Sequence, residues 1–259
     1  GPFYLPGRSF LPFLGAIGIF GAARSLWAWL RWGPFYFGAF SSVLGVRVGY
    51  LWWRLLLAEG SFLGLGVHNR RRLAIGFFLF LAAESMVFFS LFVSLFFAAI
   101  QPAPVLGSTW PPIGCQPLNP YAVPLTNTLL LLASGASVTW GHHRWSAGTY
   151  FFTPFWLASF LGALFLAGQG WEYFWATFSF RHGAYGCTFF LATGCHGCHV
   201  LVGSLFLAAR SFWSSGSTWL WPRPVGRPLR LEASIWYWHL VDALWLGLWA
   251  VFYVWADFR

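Results

Sequence analysis

The sequence predicts an all-α fold of seven transmembrane helices, and three observations lead there. Of the 259 residues, 58% are hydrophobic and only 8% are charged, whereas a soluble domain carries roughly a quarter charged residues. So few charges cannot cover a water-facing surface of this size, but lipid accepts apolar side chains pointing outward. Seven runs, near 10–31, 34–57, 72–100, 124–141, 150–176, 185–209 and 233–256, are close to or beyond the about 20 apolar residues a spanning helix needs. The breaks between them carry turn and charge signals.

The first two runs are divided by Gly33-Pro34. The second ends in Trp52, Trp53 and Arg54 with Glu59 following, the composition of an interfacial belt. His68, Asn69 and the arginines at 70, 71 and 72 then precede the third run. Two readings of this region stand side by side. One is simple anchoring, and the other is binding of anionic lipid head groups by Arg54, His68 and the arginine cluster.

Glu84 lies about twelve residues into the third run, about 18 Å along a helix, and so close to the bilayer midplane. Met86, Phe88 and Phe89 follow it. A carboxylate at that depth costs several kcal/mol unless it is protonated or paired. An intramembrane acid is a functional candidate by default, here a proton-linked carboxyl. The plain reading beside it is a glutamic acid bonding a neighbouring helix.

Prolines 102, 104, 111, 112, 117, 120 and 124 exclude a continuous helix over 101–124. Pro124 suits the first turn of the fourth helix, where a missing N–H costs nothing. Ala133, Ser137 and Gly141, four apart, give that helix a small face for close packing, and His142, His143 and Arg144 end it. Glu172 sits near the outer end of the fifth run. The stretch 211–231, rich in Ser, Gly, Pro and Arg, is a long loop. His239 and Asp242, three apart on the last run, point the same way.

The net charge of +9 comes entirely from arginine, since lysine is absent. With seven spans, Arg8, Arg54, Arg70, Arg71, Arg72, Arg144, Arg210, Arg223, Arg227 and Arg230 share the N-terminal side, against Arg24, Arg31, Arg181 and Arg259. This asymmetry places the N-terminus on the inner, matrix-like side and the C-terminus outside. Arg47 falls within the second run, where it can snorkel or pair with a carboxylate. Nucleic-acid binding wants basic residues clustered on an exposed face, and here most arginines separate apolar runs. The scarcity of residues with adenine-rich codons suits an organellar gene. Finding the gene in a nuclear contig would contradict that.

Residues 195–199 read Cys-His-Gly-Cys-His, which satisfies the c-type haem attachment pattern. The functional reading makes Cys195 and Cys198 thioether anchors and His199 an axial ligand. The flanks Phe189-Phe190-Leu191 and Val200-Leu201-Val202 instead continue an apolar span without a loop, and short patterns match by chance. A zinc site fares no better, because ligands one and three apart spread around a helix. His196 and His199 are read as a packing pair on one face. Facing histidines for a haem b are not singled out, and no internal repeat supports an inverted-repeat transporter.

Several segments together resemble the cytochrome c oxidase subunit III family. They are Pro111-Pro112-Ile113-Gly114, Pro117-Leu118-Asn119-Pro120, Val123-Pro124-Leu125 and Asn127-Thr128 before and into the fourth helix, then Leu132-Ala133-Ser134-Gly135, Thr139-Trp140 and His142-His143. Tyr185-Gly186, Thr188-Phe189-Phe190, Ala192-Thr193-Gly194, His196-Gly197 and His199-Val200 look like its sixth helix. Trp236-Tyr237-Trp238-His239, Val241-Asp242 and Trp245 look like its seventh, and Trp52-Trp53-Arg54 with Glu59 like the end of its second.

The resemblance implies two bundles divided by a lipid-filled cleft, helices one and two in 1–60 and helices three to seven in 61–259. It implies a mitochondrial inner-membrane subunit of respiratory complex IV that stabilises catalytic subunit I and supports proton uptake. The chain itself would carry no catalytic residue, metal or covalent cofactor, with haem a and copper in partner subunits. Glu84 would be the carbodiimide-reactive carboxyl. Trp53, Arg54, Glu59, His68 and Arg210 would bind phospholipid of the cardiolipin, phosphatidylglycerol or phosphatidylethanolamine type. His142, His143, Glu172, His196, His199, His239 and Asp242 would be structural polar residues. Other complex IV subunits and a respiratory supercomplex are the implied partners. The family usually has bulky apolar residues at 195 and 198, so the two cysteines complete the haem pattern by accident.

Overall fold

A computed structural model describes residues 10–32, 43, 45, 47–51, 67–102, 109–112, 115–149, 151–217 and 229–257. The chain divides into two compact units, Gly1–Arg70 and Arg71–Arg259. All regular structure among the described residues is helical.

In the first unit, α1 covers Leu11–Trp32, matching the first apolar run. Of the second run, residues 43, 45 and 47–51 are described and helical, with Arg47 on their exposed side. A methyl group built on Gly45 would lie 3.7 Å from the Gly18 backbone, so two glycines meet where the helices of this unit approach closely.

The second unit holds the larger bundle. Helix α2 runs Val67–Ile100, its first turn preceding the division, and α3 runs Val123–Ser146. Then come α4 (Phe152–Trp175), α5 (Gly183–Ser217) and α6 (Leu229–Leu248). Helix α6 continues through a π-helical turn, Trp249–Val254, into Trp255–Asp257. Successive helices pack on one another from α3 to α6, and α6 returns to α3, closing a four-helix ring. The centre of the ring is aromatic, with Phe165, Phe189, Trp238, Trp245 and Phe252 all buried. Helix α2 reaches the ring through long side chains. Phe78 stacks on Trp236 at 4.6 Å between centroids, and Phe96 meets Trp255 edge-on at 5.2 Å.

Among the described residues, four helical stretches are long and apolar enough to span a bilayer: Arg71–Ile100, Phe152–Trp175, Gly183–Ser211 and Leu231–Val254. Helix α3 falls short of that apolarity, and its burial explains why. Asn127, Thr128, Ser134 and Ser137 point into the bundle, where they replace hydrophobic driving force with bonds between helices. Ser134 Oγ accepts from Trp238 Nε1 at 3.0 Å, Thr128 Oγ1 accepts from Trp245 Nε1 at 2.9 Å, and Ser137 Oγ donates to the Pro154 carbonyl at 2.8 Å. Pro124 lies in the first turn of α3, and Gly148, at φ 73°, follows the helix in a backbone conformation that glycine adopts without strain.

Thr128→Val keeps the shape of the side chain but leaves the Trp245 indole without its acceptor. The expected cost is about 1 kcal/mol, the upper part of the range for bonds between membrane helices. A lower thermal midpoint of the solubilised chain, relieved in the Thr128→Val/Trp245→Phe pair, is the measurement that checks it.

Candidate functional site

Glu84 of α2 and His199 of α5, separated by 115 positions, meet with Oε2 and Nε2 2.9 Å apart. Both are partly covered, His199 to 15% and Glu84 to 26% remaining exposure. Local helix geometry orients the imidazole. Its Nδ1 lies 2.8 Å from the Cys195 carbonyl oxygen, one turn earlier on α5. The Tyr237 ring of α6 stacks parallel to it at 6.2 Å and 16°. Phe88, one turn beyond Glu84 and fully buried, meets it edge-on at 5.3 Å.

This arrangement settles where the hydrogens are. A carbonyl oxygen can only accept, so Nδ1 carries a hydrogen and donates to Cys195. Nε2 then shares one proton with the Glu84 carboxyl. With that proton on oxygen both groups are neutral, and with it on nitrogen they form an imidazolium–carboxylate pair. The net charge is zero either way, so proton movement between the two atoms places no net charge in the bilayer, where an isolated charge is costly.

His196 does not join this pair. It is fully buried and donates from Nε2 to the Val241 carbonyl at 3.1 Å. Its ring lies against Phe165 and Trp245. The single face read for His196 and His199 is therefore shared between two neighbours, α6 for the first and α2 for the second. Three residues turn a helix by about 300°, enough for adjacent helices to divide the pair.

The Cys-His-Gly-Cys-His stretch lies inside α5, which is continuous from Gly183 to Ser217. Both nitrogens of His199 are engaged, so it has no lone pair turned toward a haem iron. Cys195 Sγ sits 3.9 Å from His199 Nδ1, and Cys198 is exposed on the helix surface. Among the described residues no three His, Cys, Asp or Glu side chains converge on a metal position. Cys198→Ala is expected to leave the amount of folded chain unchanged, within about 0.5 kcal/mol of stability. A c-type attachment site would lose its haem on the same substitution.

The other polar residues fall into two groups. At the C-terminal end of α3, His142 stacks on Trp145 at 5.9 Å and Arg144 lies over Trp140. Near it, His239 Nδ1 is 3.9 Å from Asp242 Oδ2, and Thr139 Oγ1 is 3.5 Å from His239 Nε2. Asp242 packs directly on Gly135, where a methyl group would approach its Oδ2 to 2.5 Å. At the opposite end of the ring, Glu172 is buried beside Gln169 and Tyr253. Sequence reasoning passed over both of those neighbours. Gln169 stands three residues before Glu172, a spacing that offered the signal, whereas Tyr253 enters through a π-helical turn with no sequence mark. Arg210 is half-buried on α5. Trp53, Arg54, Glu59 and the side chain of His68 lie outside the described residues.

Comparison with known proteins adds a second line. The family model for cytochrome c oxidase subunit III matches residues 1–257. The chain is 38% identical over 262 residues to cytochrome c oxidase subunit 3 of Lumbricus terrestris, covering 99% of this chain and 98% of that one. It is 38% identical over 266 residues to the subunit 3 of Pisaster ochraceus, with the same coverage. The subunit 3 of Aedes aegypti is 36% identical over 99% of this chain and 97% of its own.

Proposed function

The chain belongs to the cytochrome c oxidase subunit III family, and from that premise we propose that it is the core non-redox subunit of a proton-translocating cytochrome c oxidase. In this reading it crosses the mitochondrial inner membrane several times, with its N-terminus on the matrix side. It stabilises the catalytic subunit, which holds haem a and copper with its partners, and it supports proton uptake. Phospholipid is a structural part of the assembly, held in a cleft by Trp53, Arg54, Glu59, His68 and Arg210.

The observation that carries the proposal is the Glu84–His199 pair. It holds one transferable proton at zero net charge between two helices, at the depth where a lone carboxylate would be most costly. The Cys195 carbonyl and the Tyr237 ring hold the imidazole in the orientation that keeps Nε2 on the carboxyl. Such a pair serves proton handling and helix docking together. Nothing in it requires electron transfer.

The proposal is tested by the chain's behaviour on its own. Denatured, it is expected to retain no haem on a stained gel, and covalently retained haem would overturn the reading. Reconstituted into liposomes without other subunits, it is expected to transport no protons. Transport by the chain alone would make Glu84 the centre of a carrier instead.

A further inference from the structure

Three buried polar atoms lie on adjoining residues where the N-terminal end of α3 meets the C-terminal ends of α4 and α6. They are Asn127 Nδ2, Gln169 Oε1 and Glu172 Oε1, and none has a hydrogen-bonding partner among the described residues. Their residues keep 1%, 4% and 5% exposure, so bulk solvent does not reach them. The remaining atoms of the group are well connected. Gln169 Nε2 donates to Glu172 Oε2 at 3.3 Å and to the Tyr253 hydroxyl at 3.4 Å, and Tyr253 donates to Glu172 Oε2 at 3.3 Å. Asn127 adjoins this group: its amide packs against Gly168, the residue before Gln169. A methyl group there would lie 3.2 Å from Asn127 Cγ.

Each buried polar atom without a partner costs about 1–3 kcal/mol. One donor and two acceptors remain, so apolar packing cannot satisfy them and neither can a simple anion or cation. The partner must accept from Asn127, donate to Gln169, and either donate to Glu172 Oε1 or accept from it when that oxygen carries the carboxyl proton. Water does both, and buried waters typically make two to four such bonds. Turning the Gln169 amide over would set its oxygen against the Glu172 carboxyl, so the amide is held as it stands. The π-helical turn Trp249–Val254 brings Tyr253 onto the opposite side of the carboxyl, and such turns are frequent at functional sites.

We propose that Asn127, Gln169, Glu172 and Tyr253 form a buried binding site for ordered water between α3, α4 and α6, with the Glu172 carboxyl as its titratable member. The site is distinct from the Glu84–His199 pair, which uses α2 and α5, and it does not depend on the function assigned to that pair.

A density map of the chain in its native complex, at a resolution that shows waters, tests the site directly. A peak within hydrogen-bonding distance of at least two of the three atoms is expected. It should persist in Glu172→Gln and disappear in Asn127→Leu. Empty density in the wild type, or the three atoms bonded to side chains of another subunit, would overturn the proposal. Infrared spectroscopy of the same complex gives an independent reading. The carboxyl band removed by Glu172→Gln should shift soon after transfer into heavy water, since its proton exchanges with the bound water. A Glu172 band unmoved after prolonged soaking would mean a sealed, dry carboxyl and would equally overturn it.

Discussion

Gly203→Val should abolish accumulation of the folded chain. Trp238 of α6 inserts its indole between α4 and α5 and is fully buried. A methyl group on Gly203 would lie 2.8 Å from Trp238 Cε3 and 3.3 Å from Tyr237 Cε1. The indole cannot retreat. On its far side a methyl group at Gly162 would lie 2.7 Å from Trp238 Cη2, and its Nε1 is tied to Ser134 at 3.0 Å. Valine adds two further methyl groups to that contact, so the helices must separate. Overpacking of this kind costs about 3 kcal/mol or more where the surroundings cannot give way. Gly170 offers the control, being exposed on α4 with nothing within 4 Å of the added methyl. Gly170→Ala is expected to be neutral or to stabilise by about 0.5 kcal/mol, through the better helix propensity of alanine. Chain levels in membranes, compared for the two variants, check the pair. Equal levels would show that the indole is not wedged as described.

The second large effect is expected at His199. His199→Leu leaves the Glu84 carboxyl without a partner inside the bilayer, at a cost of about 3 kcal/mol, or roughly a hundredfold in an equilibrium constant. Glu84→Gln should be far milder, because its amide can still donate to Nε2, and assembly should remain intact. The double change Glu84→Leu/His199→Leu should recover much of what His199→Leu loses, since both polar partners are then gone. Carbodiimide gives the chemical check. The wild-type chain should label at Glu84 and the Glu84→Gln chain should not. Label that persists would place the reactive carboxyl elsewhere.

The division between what composition reveals and what packing decides is visible residue by residue. Runs of apolar residues announced the helices at Arg71–Ile100, Phe152–Trp175, Gly183–Ser211 and Leu231–Val254, because a lipid solvent leaves few alternatives to a long apolar helix. Helix α3 was legible more through Pro124 and its small residues than through apolarity, since its inner face is polar. Glu84 stood out by depth alone. Its partner did not, because a pairing across 115 positions depends on helix rotation that one sequence cannot supply. The apolar flanks of the 195–199 motif announced its place within a span, and it lies inside the continuous α5 with both His199 nitrogens engaged. Gln169 was legible as a partner of Glu172 by its spacing but was passed over, because a glutamine in an apolar run reads as ordinary packing, whereas Tyr253 was invisible. Tyr253 comes into register through an extra residue in the last helical turn.

Capture of the chain from membranes in mild detergent tests the central claim most directly. The catalytic subunit should co-purify, together with haem a and copper in proportion to the captured chain. A chain recovered without haem a and copper, whether alone or carrying a haem of its own, would contradict its place in an oxidase.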